Sequence, residues 1–301
     1  MTYSDFKQTV LAFLKDKLHP STRITIQPFL KNNHVVLDGL VILEENANIS
    51  PTIYLNPFYQ KLQNGIPLSH ILLDILQCYH RYKPDRNMEL PLFTDYRIVA
   101  PNIVYRLIHY EQNRDLLSDL PHQRFLDLAL IYYYLIPSAS IGNAAVRIHN
   151  HHLRLWHISK EELFATARQN TPKLLPSVSL SMNTIFERYQ KDCPSFCPDT
   201  PDTDSPLFLL SNTTRLYGAA VMLYPKLLED FAHSAADDIF LIPSSIHEVL
   251  LFPAGLCGRS MADALNKMVQ EVNLTHLSKE DVLSDHVYFY SRSDRAIQVL
   301  S

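Results

Sequence analysis

Apolar positions recur at helical spacing near the start of the chain, at Phe6, Val10, Phe13, Leu14 and Leu18. Ser4 is placed to cap this helix and His19-Pro20 to end it. Alternation then takes over. Thr22 to Leu30 and His34 to Glu44 read as strands joined by a Lys31-Asn-Asn33 turn, and Thr52 to Leu55 as a third. A helix over 57–64 closed by Gly65 precedes a stronger one over 67–82, whose Leu68, Ile71, Leu72, Ile75, Leu76 and Tyr79 share a face. Ile103 to Tyr110 alternates like a strand. Arg124 to Ile136, with the run Tyr132-Tyr-Tyr134, is so continuously apolar that periodicity fits a strand or a buried helix.

Later segments repeat these themes. Asn143 to Ile148 reads as a partner strand, and Ser159-Lys-Glu-Glu162 as a capping box opening a helix to about Gln169. Further helices are expected over 182–190, 225–233 and 261–272, and strands over 207–211, 286–290 and 296–300. Strands and helices come in blocks, which predicts an α+β fold with a mixed or largely antiparallel sheet and packed helices. Asp192 to Pro206, broken by Cys-Pro, Thr-Pro and Ser-Pro steps, is the expected linker or loop. It divides an N-terminal region, 1–191, from a C-terminal region, 207–301, with the two packed as one unit.

The chemistry-bearing residues are sparse. Phe240 to Phe252 places a polar knot, Pro243 to Glu248, between two apolar runs. Ser245, His247 and Glu248 are the candidate catalytic residues there, with Ser245 and His247 on one strand face and an orienting carboxylate drawn from Asp285 or Asp95. The alternative is a hairpin corner whose hydroxyls bond nearby backbone. His-Glu-Val-Leu-Leu251 fails the H-E-x-x-H zinc pattern, because Leu251 stands where the second histidine belongs. His149 and His151, in Ile148-His-Asn-His-His152, form the candidate metal pair, with no spacing that selects further ligands. Arg124 and Asp127 are read either as structural charges or, for Arg124, as an anion contact in a cleft.

Composition then removes whole classes. Only six glycines occur in 301 residues, so no G-x-G-x-x-G, Walker loop or G-x-S-x-G elbow can be assembled. A net charge of −4 leaves no basic footprint for nucleic acid. No apolar run approaches a membrane span, and the N-terminus lacks a signal-peptide pattern. Four cysteines, with only Cys193 and Cys197 close together, fit free thiols in a cytoplasmic protein. The sequence names no cofactor.

Several segments together carry a resemblance. They are Ser50-Pro-Thr-Ile-Tyr-Leu55, Pro121 to Leu128, Ile148 to Leu153 with Trp156, Asn170-Thr-Pro172, Gly218-Ala-Ala-Val221, Leu241 to Glu248 and Val282-Leu-Ser-Asp285. Over nearly its whole length the chain resembles a domain-of-unknown-function family common in gut Clostridia, and its C-terminal portion is distantly similar to another firmicute family. The resemblance implies a bacterial, cytosolic α+β protein and transfers no activity or site residue. The expected function is a binding or interaction module for a protein or small molecule. The alternative is a hydrolase using His247 with Ser245 or Glu248, or a metal near His149 and His151.

Overall fold

A computed structural model describes residues 1–84, 94–136, 145–184, 206–256 and 261–300. The chain forms two compact units, Met1–Val99 with Leu135–Val146, and Ala100–Tyr134 with Arg147–Ser301. The fold is α+β, and the strand pairs among the described residues are antiparallel. Residues 192–205 of the expected linker, the expected helix beyond Thr184, and Cys193, Cys197 and Cys257 lie outside the described residues.

In the first unit, helix Tyr3–Lys17 buries Phe6, Val10 and Leu14. Its cap is Thr2 rather than Ser4. The Thr2 hydroxyl accepts from the Asp5 N–H while the Asp5 carboxylate accepts from the Thr2 N–H, so two otherwise orphaned donors are satisfied reciprocally. Strands β1 (Arg23–Leu30), β2 (Val36–Leu43) and β3 (Thr52–Tyr54) form a meander. The apolar stripe of helix Leu68–Tyr82, Ile71, Leu72, Ile75 and Tyr79, packs with Leu40, Ile42 and Ile53 of the sheet. Lys83 and the Tyr79 hydroxyl both donate to Glu44, holding its carboxyl below the usual carboxylate range.

The second unit holds two sheets. The first runs β4 (Ile103–His109), β6 (Leu128–Leu135), β5 (His122–Phe125). The apolar stretch 124–136 is therefore a hairpin, with Leu126 and Asp127 between Phe125 and Leu128. Leu126 takes φ 56°, a left-handed conformation that leucine adopts only when its surroundings fix it. Pleat alternation splits the tyrosine run: Tyr132 and Tyr134 are buried, while Tyr133 turns to the opposite face. Helix Lys160–Leu174 crosses β4, where the Thr171 hydroxyl accepts from the Tyr105 N–H at 3.1 Å and donates to the Ala167 carbonyl. Its cap is Ser159, as its sequence predicts.

A short strand, β7, spans Ala145–Arg147. The larger sheet follows with β8 (Ser177–Ser181), β9 (Phe208–Asn212), β10 (Ile239–Ser245), β11 (Glu248–Pro253), β12 (Val287–Ser291) and β13 (Ala296–Leu300), in the spatial order β13-β12-β10-β11-β9-β8. Its edge strand β8 alternates serine with Val178 and Leu180, a pattern too faint to predict a strand because only two apolar residues carry it. Phe240, Ile242, Phe252, Val287 and Phe289 pack with Val269 of helix Ala262–Thr275 into a second core. Among the described residues no helix is long and apolar enough to cross a membrane.

Gly218 locks the turn after β9 against the β10–β11 loop. A Cβ there would stand 2.2 Å from the Ser211 hydroxyl and 2.5 Å from the His247 carbonyl. Gly218→Ala is expected to cost about 1–3 kcal/mol through overpacking, measured as a lowered urea midpoint at unchanged m-value. An unchanged midpoint would show that the loop is not fixed at this point.

Candidate functional site

The polar knot is the loop of the β10–β11 hairpin. Ser245 pairs directly with Glu248, and a register shift between Ile242 and Ser245 marks a bulge at Pro243-Ser244. The Ser245 hydroxyl accepts the His247 backbone N–H at 3.0 Å, a hydroxyl–backbone turn rather than a contact with the imidazole. The His247 ring is engaged elsewhere. Its Nδ1 accepts the Tyr217 N–H at 3.1 Å, which puts the proton on Nε2, 3.3 Å from Asp281 Oδ1. Asp281 in turn accepts from the Ser278 hydroxyl. The carboxylate at His247 is thus Asp281, not Asp285 or Asp95. Asp285 accepts from Asn273, and Asp95 pairs with Arg97.

The histidine cluster caps helix Asn150–Trp156. His149 is its N-cap, and its N–H donates to His152 Nδ1 at 2.9 Å. His149 Nδ1 meets Asp119 at 2.7 Å, and the His151 and His152 ring centroids are 4.0 Å apart. His152 stacks on Trp156. Burial, with the neighbouring His151 and His149, lowers the His152 pKa to about 4. Among the described residues no group of three or more His, Cys, Asp or Glu side chains is arranged to hold a metal ion.

The Pro121–Leu128 and Val282–Asp285 segments meet at Asp127. Its carboxylate accepts from Ser284 at 2.6 Å and Tyr288 at 2.7 Å, and lies 3.3 Å from His286 Nδ1. Tyr288 is fully buried, and burial together with the Asp127 charge pushes its phenol well above the usual value. Buried His109 is also held below the usual imidazole range, because desolvation outweighs the attraction of Asp127 and Asp285. Asp127 and Arg124 do not pair. The Arg124 Nε donates to the Leu126 carbonyl, and its guanidinium lies over the Tyr110 ring.

Arg124 instead lines a cavity. Between edge strand β5 and helix Lys160–Leu174 lies a pocket of about 160 Å³, walled by Tyr105, Gln123, Phe125 and Leu130 and, one helical turn apart, Phe164 and Arg168. No carboxylate lines it, and neither Arg124 nor Arg168 forms an ion pair among the described residues. Phe125 and Leu223 also line a neighbouring cavity of about 400 Å³, which presents Lys226, Tyr290 and Arg295. Its one carboxylate, Glu229, is bound to Arg295. Sequence reasoning found Arg124 but not Arg168. The i,i+4 pair Phe164/Arg168 on a capped helix was the available signal, and only the packing shows which way that face points.

The model of a family of unknown function, DUF5688, matches residues 3–292, and the chain belongs to that family. No curated protein and no solved structure matches the chain.

Two outcomes follow from this geometry. An imidazole depressed in the folded state stays neutral while the unfolded chain, with a histidine pKa near ~6.5, takes up a proton. Stability is therefore fully present above about pH 6.5 and falls as pH drops toward about 4. His152→Asn, which keeps an acceptor for the His149 N–H, should flatten this part of the profile in urea unfolding between pH 7.5 and 4.5. A slope identical to wild type would remove His152 as its source. At the other cluster, Asp127→Asn weakens the charge-assisted bonds from the Ser284 and Tyr288 hydroxyls and should cost about 2–3 kcal/mol. A change under about 0.5 kcal/mol in the same assay would show that the cluster is held by other contacts.

Proposed function

We propose that this DUF5688 protein is a non-catalytic binding module of the bacterial cytoplasm that takes an amphipathic anion into the cleft beside β5. The carrying observation is the pair Arg124 and Arg168, which line a cavity with aromatic walls and no carboxylate. The Arg168 guanidinium supplies fixed donors for a carboxylate or phosphate, with Arg124 at the cavity's edge and its guanidinium over Tyr110, while Tyr105, Phe125 and Phe164 supply apolar and planar surface for the ligand's body. Lys226 in the adjoining cavity adds the same sign of charge, Arg295 there being paired with Glu229. The Cys78 thiol, unpaired and raised by burial, accords with a reducing compartment.

The hydrolase alternative draws on one observation, the Asp281 carboxylate that orients His247. Against it, both ring nitrogens are occupied and the Ser245 hydroxyl is turned to backbone.

Calorimetric titration of the full chain with phenyl phosphate, phenylacetate and the neutral analogue phenylacetamide tests the binding reading. The anions should bind and the amide should not. Arg124→Ala and Arg168→Ala should each weaken binding about tenfold or more, equivalent to about 1.4 kcal/mol. Absence of binding by either anion, or binding indifferent to both substitutions, overturns the cleft assignment. Turnover of an aryl ester that vanishes in His247→Ala would replace the non-catalytic reading with the hydrolase one.

A further inference from the structure

Strand β4 carries one permanently charged side chain, Arg106, among aliphatic and aromatic neighbours. Being next to Tyr105 on the strand, it points to the sheet face opposite the β5 cleft. Its guanidinium carbon stands 3.9 Å from the centroid of the Tyr133 ring and 3.7 Å from that of Tyr217. Tyr133 comes from the paired strand β6, diagonally across from Arg106. Tyr217 comes from the loop after β9. Both rings stack against the planar cation, and its N–H donors point around the rim, one of them to the Tyr133 phenol.

Apart from the Tyr133 and Tyr217 phenols, the titratable group acting on Arg106 is another cation, Arg147. No carboxylate among the described residues forms an ion pair with either arginine. The Arg147 guanidinium carbon lies 6.0 Å from the same Tyr133 ring, and its Nε is buried with no hydrogen-bond partner among the described residues. Burial, with Arg147 adding to it, pulls Arg106 below the usual arginine range. Two neighbouring cations withdrawn from water without a counter-charge are costly, and cation–π contact offsets only part of that cost.

The wall that encloses them is built rigidly. Tyr217 is held at φ 55°. The Asn212 side chain ties its loop by donating to the Leu216 carbonyl and accepting from Thr214. The Tyr217 N–H is fastened to His247, and the crowded Gly218 follows. A loop strained in order to place one ring over one guanidinium is preorganised for whatever that guanidinium binds.

We propose that Arg106 and Arg147 form an oxyanion-binding site, with Tyr133 and Tyr217 as its walls, for a carboxylate or phosphate group. The guanidinium rim offers two parallel N–H donors at the spacing of two oxygens on one centre. Stacking on tyrosine holds the plane in which those oxygens must lie. His247, whose ring packs against Tyr217, braces the wall and does not touch the ion. The site stands apart from the β5 cleft and does not depend on it.

The test is an NMR titration of the ¹⁵N-labelled full chain, following arginine Nε–H resonances. The Arg106 signal is assigned by its loss in Arg106→Lys. Inorganic phosphate and sodium acetate are the probes, with sodium chloride at matched ionic strength as control. The Arg106 signal should move saturably with phosphate, acetate or both, and not with chloride. Response to phosphate alone identifies a phosphoryl ligand, response to acetate alone a carboxylate ligand, and response to both the oxyanion shared by them. Arg106→Lys should weaken binding at least tenfold by calorimetry, and Tyr217→Leu, which removes one wall, should weaken it also. Arg124→Ala should leave it unchanged. A signal that no oxyanion moves in the wild-type chain overturns the proposal, as does undiminished affinity in Arg106→Lys or a loss confined to Arg124→Ala.

Discussion

Asp127 sits in a two-residue hairpin loop, yet its carboxylate gathers donors from the far end of the chain. Ser284 and Tyr288 donate to it, and His286 lies beside it. These contacts join the β4-β6-β5 sheet to the strand and loop at β12 inside the second unit. A partly buried carboxylate is costly unless its oxygens are supplied with donors, and here the Ser284 and Tyr288 hydroxyls supply them. The Leu126 conformation follows from that demand. The hairpin turns through a left-handed leucine so that the next residue faces the other sheet, and the Asp127 carbonyl accepts the Tyr110 N–H as a further anchor.

A contrast in charge satisfaction runs through this unit. Several of its acids are engaged: Asp127 with Ser284, Tyr288 and His286, Asp281 with His247 and Ser278, Asp285 with Asn273, Glu229 with Arg295. Several of its arginines are not. Arg124, Arg168, Arg106 and Arg147 lean on aromatic rings or line open space without a carboxylate partner among the described residues. Folding alone favours pairing such cations, because an unpaired charge in low dielectric is among the costliest groups to enclose. Cations left unpaired beside aromatic surface are what an anion-binding protein needs to keep. Tyr105 and Arg106 point to opposite faces of the β4-β6-β5 sheet, whereas Arg124, paired with Ala129, shares the face of Arg106 and Tyr133.

The histidines illustrate how local context redirects chemistry. His149, His151 and His152 are adjacent because a helix begins there, and the cap hydrogen bond claims the His152 Nδ1. His247 is adjacent to serine and glutamate because a hairpin turns there, and the same turn claims the Ser245 hydroxyl for backbone. In both places a cluster legible in sequence is in part the ordinary solution to orphaned backbone donors.

Periodicity by itself determined most of the elements. The stripes at Phe6, Val10 and Leu14 and at Ile71, Ile75 and Tyr79, the alternation in β1, β2 and β4, and the Ser159 cap all act over a few residues, where side-chain spacing and backbone geometry are directly coupled. The α+β class followed from their order, and the scarcity of glycine was enough to remove the phosphate-loop folds. Tertiary structure decided the rest. It split 124–136 into a hairpin, made a strand of the serine-rich 177–181 segment, and put Asp281 rather than Asp285 beside His247. It also brought Arg168 to Arg124, and Tyr217 and Arg147 to Arg106. Each of these depends on which face a residue presents and which distant segment arrives against it, and a one-residue change of register reverses the first while loop geometry sets the second. Arg106 shows the boundary between the two. A lone arginine in an aliphatic strand is visible in the sequence, but that it is stacked between two tyrosines without a counter-charge is a property of the fold.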